Sequence, residues 1–327
     1  MEAPCVRVER ERGEETRRRL ADLELLVADL EITTEGDQLY IPITDPTAVP
    51  DDLSVVTADV PVRERQSMPA DILGYEPSYE RLGDIVLLEE DDPNRAREIA
   101  DAIVASDLPV ATVCNQASKV QGEYRTREWD VLAGDGTETV HREYGCEFAL
   151  DIAEVYFSPR LATERRRVAQ QVQPGERAFD MFAGVGPFVV PFAKRGAEVV
   201  GVDVNERAIE YLRENVRRNG VKERVTAIHA DVRDVAPEYA GWADRVVMNL
   251  PLGAEAFVET AVEIAGEECV IHYYDVQHED DPFGPGERAI REVAEPGYVV
   301  SVETERVVRS YAPHEVNVCL DVRLRAR

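Results

Sequence analysis

The chain has 327 residues and a formal net charge of −28, from 65 acidic against 37 basic side chains. That length suffices for two or three domains with cores of their own. No apolar run approaches the roughly 20 residues that span a bilayer. Five scattered cysteines (Cys5, Cys114, Cys146, Cys269, Cys319) argue against a disulfide framework and a zinc site; they read as small buried apolar residues of a reducing cytoplasm. The opening Met-Glu-Ala-Pro-Cys-Val-Arg has no secretory apolar core. Such acidity ordinarily speaks against nucleic acid as a partner. Here, however, the basic residues are 34 arginines and three lysines, Lys119, Lys194 and Lys222. Acid excess with lysine nearly absent is the surface expected in concentrated salt, where self-repulsion is screened over about 3 Å at 1 M. The charge is then a solubility adaptation of a halophilic source and says little about partners.

Residues 1 to about 46 form a small α+β unit: a strand at Val6–Glu9, a helix from Glu14 to Leu30 and a strand at Leu39–Ile43. Arg17, Arg18 and Arg19 read as a solvated helix face, with phosphate contact the competing role. From Thr44 to Arg65, proline and aspartate mark a linker. A mixed α/β unit follows from about residue 66 to 153. It has strands at Ile85–Leu88 and Val110–Val113, a helix from Pro93 to Ile103, and further extended pieces through Phe148–Asp151 and Val155–Phe157.

Residues 154–327 alternate strand and helix. Strands are expected at Phe179–Phe182, Glu198–Val202, Val225–Ala230, Arg245–Leu250 and Cys269–Tyr273. A helix from Glu206 to Asn219 is capped by Asn205 and stopped by Gly220. A closing antiparallel hairpin is expected at Val299–Val308 and Val316–Leu324. This is a doubly wound, Rossmann-like sheet, which takes its ligand at the strands' carboxyl ends. Asp180, Asp203, Asp231 and Asn249 stand at or just beyond strand ends and should converge on one crevice.

The glycine turn Phe182-Ala183-Gly184-Val185-Gly186, with an acid at the end of the next strand (Asp203), is how such a sheet grips a nucleoside. The third glycine of a dinucleotide fingerprint is replaced by Val189, so no pyrophosphate is cradled; a nucleoside such as S-adenosylmethionine fits. Asp231 is placed to accept from the adenine amino group, and also to cap the helix after it. Asn249-Leu250-Pro251 offers a side-chain amide and a rigid carbonyl to a planar nitrogen heterocycle. Arg160, Arg165, Arg166 and Arg167 surround a single glutamate, Glu164, just before the first strand; a capping box at Ser158 and Thr163 is the structural alternative.

Five ordered runs sharpen this: Tyr156-Phe157-Ser158-Pro159-Arg160-Leu161, Asp180 to Phe188, Asn249-Leu250-Pro251, Ile271-His272-Tyr273-Tyr274 and Ser310-Tyr311-Ala312-Pro313. Together they closely resemble the archaeal and eukaryotic tRNA (guanine-37-N1)-methyltransferase family over about residues 70–327. The opening unit is similar to the extra N-terminal domain of the archaeal three-domain form. The resemblance implies a class I methyltransferase domain at 154–327, preceded by a mixed α/β RNA-binding domain at 66–153 and a tRNA-recognition domain with its linker at 1–65. It implies methyl transfer from S-adenosylmethionine to N1 of guanosine 37 of tRNA, by a monomer. The cysteine pattern and the lack of an apolar span add the expectation of a cytoplasmic protein with no metal site and no membrane partner. N1 carries a proton at neutral pH, so a base must remove it; the resemblance gives that role to Glu164. Charge moves onto O6 as the proton leaves, and Arg125, with Arg127 its rival, would stabilise it. Asn249 would orient the purine edge, and Tyr156 or Phe157 would stack on the extruded base or pack on the cofactor. Arg160 joins Arg125 and Arg127 on the substrate side. The cofactor would touch Tyr156, Arg165, Phe182, Gly184, Gly186, Asp203, Val204, Asp231, Val232, Asn249 and Pro251. An aminocarboxypropyl transferase of wybutosine synthesis on the same scaffold is the closest alternative, and a non-catalytic RNA-binding relative is another.

Overall fold

A computed structural model describes residues 1–63, 66–118, 122 and 126–327. By contacts the chain divides into two units, Met1–Ile72 with Ser106–Leu108, and Leu73–Ala105 with Pro109–Arg327.

The first unit is a four-stranded antiparallel sheet in the spatial order Thr33–Glu35, Gln38–Pro42, Glu2–Glu9, Ser54–Asp59. Its helix, Gly13–Asp22, is shorter than the leucine spacing suggests. Glu24 adopts a left-handed backbone (φ 57°), which ends the helical path, and Leu25 and Leu30 reach the core from the loop beyond. The Pro/Asp-rich stretch is likewise not a linker. Ser54–Asp59 pairs with Glu2–Arg7, and its Val56 and Ala58 pack on buried Ala3, Cys5, Leu30 and Val60. Pro50 and Pro61 flank this edge strand, where a missing N–H is tolerated. Arg17 and Arg18 bind Glu14 and Arg19 binds Asp52, all at the surface, so the arginine run is an ion-paired helix face.

The second unit begins with a mixed sheet, Glu80–Leu82, Ile85–Leu88, Thr112–Gln116 and Trp129–Ala133, covered by the helix Pro93–Ala105. Only Ile85–Leu88 and Thr112–Gln116 run parallel. The hairpin Glu138–Glu143/Cys146–Asp151 forms a separate two-stranded sheet. Val155–Phe157 adds no strand to it: the Asp151 carboxylate and carbonyl turn the chain there, accepting from Ala153 N and Val155 N.

The layer that positions the site has seven strands: β1 (Arg177–Asp180), β2 (Glu198–Asp203), β3 (Val225–His229), β4 (Ala243–Met248), β5 (Ala265–His278), β6 (Tyr298–Ala312) and β7 (Glu315–Ala326). Their order is β3-β2-β1-β4-β5-β7-β6, and only β7 runs against the others. Burial on both faces explains why β1, β2 and β4 read as nearly continuous apolar runs. Helices α1 (Ala162–Ala169), α2 (Val189–Lys194) and α3 (Glu206–Arg218) lead into β1 or connect β1, β2 and β3. Asn205 caps α3, accepting from Arg207 N and Ala208 N, and Gly220 follows its end at φ 69°.

The hairpin before the layer is fastened to α3. Asn215 is fully buried; its carbonyl oxygen accepts from Ala149 N (2.7 Å), while its amide donates to the carbonyls of Ala149 and Val185 (both 3.0 Å). Asn219 repeats the clasp on Glu147. Phe148 and Leu150 share one buried cluster with Ile85 and Leu87 of the mixed sheet and with Phe188 and Leu212 of the layer.

Candidate active site

A cavity opens at the carboxyl ends of β1, β2, β3 and β4, and residues of β6 and β7 complete its wall. Of the residues named from the sequence, Tyr156, Arg165, Phe182, Gly184, Asp203, Val204, Asp231, Val232, Asn249 and Pro251 line it. Strand β1 ends at Asp180, two residues before the expected Phe182, because the turn starts there: Asp180 Oδ1 accepts from Phe182 N (3.2 Å). Gly184 and Gly186 have φ of 51° and 93°, which L side chains rarely adopt. A Cβ at Gly184 would meet nothing closer than the Tyr156 carbonyl at 4.0 Å, so this glycine leaves open space against the cavity. Gly186 does not reach the cavity. A Cβ there would sit 2.5 Å from buried Leu212 Cδ1, so this glycine serves the close approach of the turn to α3.

Asp203 ties the turn to the end of β2. Its carboxylate accepts from Gly184 N (2.7 Å) and Asn205 N (2.9 Å), and burial raises its pKa against those bonds. Asp231 caps the short helix after β3 by accepting from Arg233 N (2.9 Å). It also pairs with the Arg233 guanidinium, which lowers its pKa, so capping and cavity lining coexist. Arg233 lies over the Phe257 ring (5.0 Å), and Phe257 meets Phe182 edge-on (5.0 Å), making an aromatic wall beside Asp231. Asp180 does not join Asp203, Asp231 and Asn249 at the cavity surface. It is buried beneath the turn, Oδ2 has no partner among the described residues, and burial pushes its carboxyl up to about 7.

The arginine cluster has no capping box. A 3-10 turn, Pro159–Leu161, runs straight into α1, and neither Ser158 nor Thr163 caps it. Arg165 is buried, with its fork on Glu143 (2.7 and 2.6 Å), a further donor on the Ser158 carbonyl (3.0 Å), and its plane over Phe157 (4.9 Å). Glu164 faces elsewhere and does not line the cavity. It accepts from Arg167 (2.7 Å) and Tyr274 Oη (3.0 Å), and pairs with the partly exposed Arg306 (3.0 Å). Arg167 also binds Asp321 (2.5 and 3.0 Å), which meets His272 Nδ1 at 2.6 Å. Arg245 Nη1 lies 2.5 Å from His272 Nε2 and can only donate. Nε2 is therefore the acceptor, and the imidazole is neutral with its proton on Nδ1, aimed at Asp321. Burial lowers the His272 pKa accordingly. Burial opposes an Asp321 anion, but hydrogen bonds from His272 and Arg167 outweigh it. His272, Cys319 and Asp321 lie within metal-ligand spacing of one another, yet Arg245 and Arg167 already occupy the imidazole and the carboxylate.

A second pocket shares Tyr156, Phe157, Ser158 and Arg309 with the first and adds Thr126, Arg127, Trp129 and Arg160. Arg127 donates to Gln116 and stands over the Trp129 ring (5.4 Å); Arg160 pairs with Glu80 (3.1 Å) and Glu89 (3.6 Å). Arg125 lies outside the described residues. Sequence reasoning missed Arg309, Asn317 and Phe257 on the cavity wall and Arg306, Asp321 and Arg245 around Glu164. Arg309 was within reach, since it stands two residues before Tyr311, which the Ser310–Pro313 run singled out, on the same strand face. The others stand in or near elements the sequence marks, but no local pattern ties them to the site.

The sheet order, the glycine turn after β1 and the acid after β2 define a Rossmann-like class I methyltransferase domain. The family model of the TRM5/TYW2 methyltransferase domain matches residues 139–303, the tRNA methyltransferase 5 N-terminal domain matches 5–51, and the TYW2 N-terminal domain matches 65–137. The chain belongs to the archaeal-type tRNA (guanine-37-N1)-methyltransferase family, in its three-domain form. It is 41% identical to the tRNA (guanine(37)-N(1))-methyltransferase Trm5b of Pyrococcus abyssi, with 98% of each chain covered. It is 34% identical to a tRNA(Phe) (4-demethylwyosine(37)-C(7)) aminocarboxypropyltransferase of Pyrococcus horikoshii, over 79% of this chain and 94% of that one. A structure described as the complex of aTrm5 and tRNALeu superposes with a TM-score of 0.72 at 32% identity, covering 98% and 99% of the two chains. That of Methanocaldococcus jannaschii Trm5 in complex with adenosine gives 0.67 at 32%, covering 99% and 100%.

Proposed function

We propose that this chain methylates N1 of guanosine 37 of tRNA, with S-adenosylmethionine as donor. The observation that carries the reading is a single cavity that gathers Asp203, Asp231 and Asn249 beside a second, arginine- and aromatic-lined pocket. The cavity suits a nucleoside: Gly184 leaves its floor bare, and Asp203, Asp231 and Asn249 present polar side chains to it. Asp203 and Val204 would hold the ribose side, and Asp231 and Val232 the adenine side. When bound, the cofactor supplies a methyl group on a sulfonium, already activated for transfer. The remaining work belongs to the protein.

Glu164 takes the N1 proton of the guanine. Arg167, anchored by Asp321, holds its carboxylate, while Arg306 is the solvent-facing partner that gives way to the base. Asn249 orients the purine edge, and Tyr156 packs against base or cofactor. Arg125 donates to O6 as charge gathers there, a contribution of about 3 kcal/mol by analogy with oxyanion donors; Arg127 and Arg160 complete the substrate side. Residues 1–65 are assigned to tRNA recognition, 66–153 to the RNA-facing mixed domain and 154–327 to chemistry. The protein works as a monomer in the cytoplasm of a halophilic archaeon.

Coverage favours methyl transfer over aminocarboxypropyl transfer: the match to the methyltransferase runs the full chain and includes residues 5–51. The test is labelled-methyl incorporation into two transcripts that differ only at position 37. The G37 transcript should be methylated and its A37 counterpart should not; equal labelling of both would reject the assignment.

A further inference from the structure

The cavity wall contributed by β6 and β7 carries a donor and an acceptor that have no partner among the described residues. Arg309 and Asn317 are direct cross-strand partners in the β6–β7 ladder, so their side chains stand side by side on one face. Both line the cofactor cavity. Arg309 Nε is buried without an acceptor among the described residues, nor does Arg309 pair with any carboxylate among them. Asn317 is 3% exposed, and its Oδ1 has no donor among the described residues. In a chain of net charge −28, a guanidinium with no carboxylate partner among the described residues is conspicuous. A buried polar atom without a partner is costly, so two on one cavity wall call for a ligand.

The other cations of the cavity are committed. The Arg165 fork is filled by Glu143 and Ser158, and Arg233 is held by Asp231. Arg165, the residue the family resemblance places at the cofactor, is thus bound to its own protein by three donors.

We propose that Arg309 and Asn317 receive the α-amino-acid end of the cofactor, Arg309 donating to the carboxylate and Asn317 Oδ1 accepting from the ammonium. This rests on the S-adenosylmethionine reading above. An α-amino acid carries an anion and a cationic donor on adjacent atoms, which complements a donor and an acceptor on facing residues. The pair also lies at the far side of the sheet from Asp203 and Asp231, so a ligand gripped by its nucleoside there extends toward it. The carboxylate offers its full charge to the lone guanidinium as soon as the cofactor binds, whereas guanine does so only as N1 loses its proton.

The experiment compares equilibrium binding of S-adenosylhomocysteine with that of 5′-methylthioadenosine, which has the same nucleoside but no amino-acid end. Arg309→Met and Asn317→Leu should each weaken S-adenosylhomocysteine by roughly 10- to 100-fold, the loss expected of a hydrogen bond to a charged group. Methylthioadenosine should bind all proteins alike, which also reports an intact fold. Should the buried Asn317→Leu lose both ligands, Arg309→Met and the charge-retaining Arg309→Lys decide. Equal losses on both ligands by the Arg309 variants, or no loss on S-adenosylhomocysteine, overturn the proposal. The second result combined with slowed tRNA methylation would hand the pair to the target base. A wild-type protein that binds neither nucleoside overturns the cofactor reading beneath it.

Discussion

Glu164 shows what single residues can and cannot reveal from sequence. Its place after Pro159-Arg160-Leu161 marked it as the base, but not that its oxygens are shared among Arg167, Arg306 and Tyr274. Those partners come from β5, β6 and α1, and no local pattern joins them. Glu164→Gln keeps the shape and removes the proton acceptor. Single-turnover methylation should fall by at least the roughly 100-fold ascribed to general-base catalysis, with S-adenosylhomocysteine affinity unchanged. Normal turnover would remove Glu164 from the mechanism. Asp203→Ala should do the opposite at the first step, weakening cofactor binding roughly tenfold or more by loss of a polar contact and a loosened glycine turn.

Asp180 permits a signed pH prediction. Burial raises its folded pKa to about 7, while the unfolded chain titrates near the usual carboxylate value. The folded state therefore binds the extra proton between about pH 4 and 7. That increment of stability is fully present below the unfolded pKa and is lost as pH rises through the folded one. Relative to wild type, Asp180→Asn should gain stability steadily from pH 4 to 7 in thermal unfolding at fixed salt. A difference that does not change with pH contradicts the buried acid.

Strand and helix types in the catalytic layer were legible because buried parallel strands and an amphipathic helix write strong patterns. The helix from Glu206 came out with both caps in place, and the hairpin at the chain's end proved longer than its apolar alternation suggested. The opening helix was misread because Leu25 and Leu30 keep helical spacing while reaching the core from a loop; a left-handed Glu24 is not visible in leucine spacing. The Pro/Asp-rich edge strand was misread because composition reports exposure, and edge strands are exposed on one side. Asn215 carries a prediction at this scale. Replacing it by alanine strands the N–H and carbonyl of Ala149 and the carbonyl of Val185, at about 3 kcal/mol or more. Urea unfolding should show the loss, and an unchanged midpoint would mean the clasp contributes nothing.

Across the whole molecule, net charge and arginine preference make one claim and modularity another. If the −28 charge is an adaptation to concentrated salt, the unfolding temperature should climb across a potassium chloride series. Full stability at low ionic strength contradicts it. Because Ser54–Asp59 belongs to the first unit's sheet, a cut near residue 46 would split that sheet, whereas a chain starting at Leu73 respects the contact boundary. That shorter chain should still bind S-adenosylhomocysteine and should need more tRNA for the same rate; loss of cofactor binding would refute the modular reading. The central claim concerns which atom receives which group. Unmodified tRNA incubated with protein and S-adenosylmethionine, digested to nucleosides and mapped by mass, answers it directly. The expected product is a single methyl group on N1 of guanosine 37, while an aminocarboxypropyl group, or a methyl group at another position, would contradict the account.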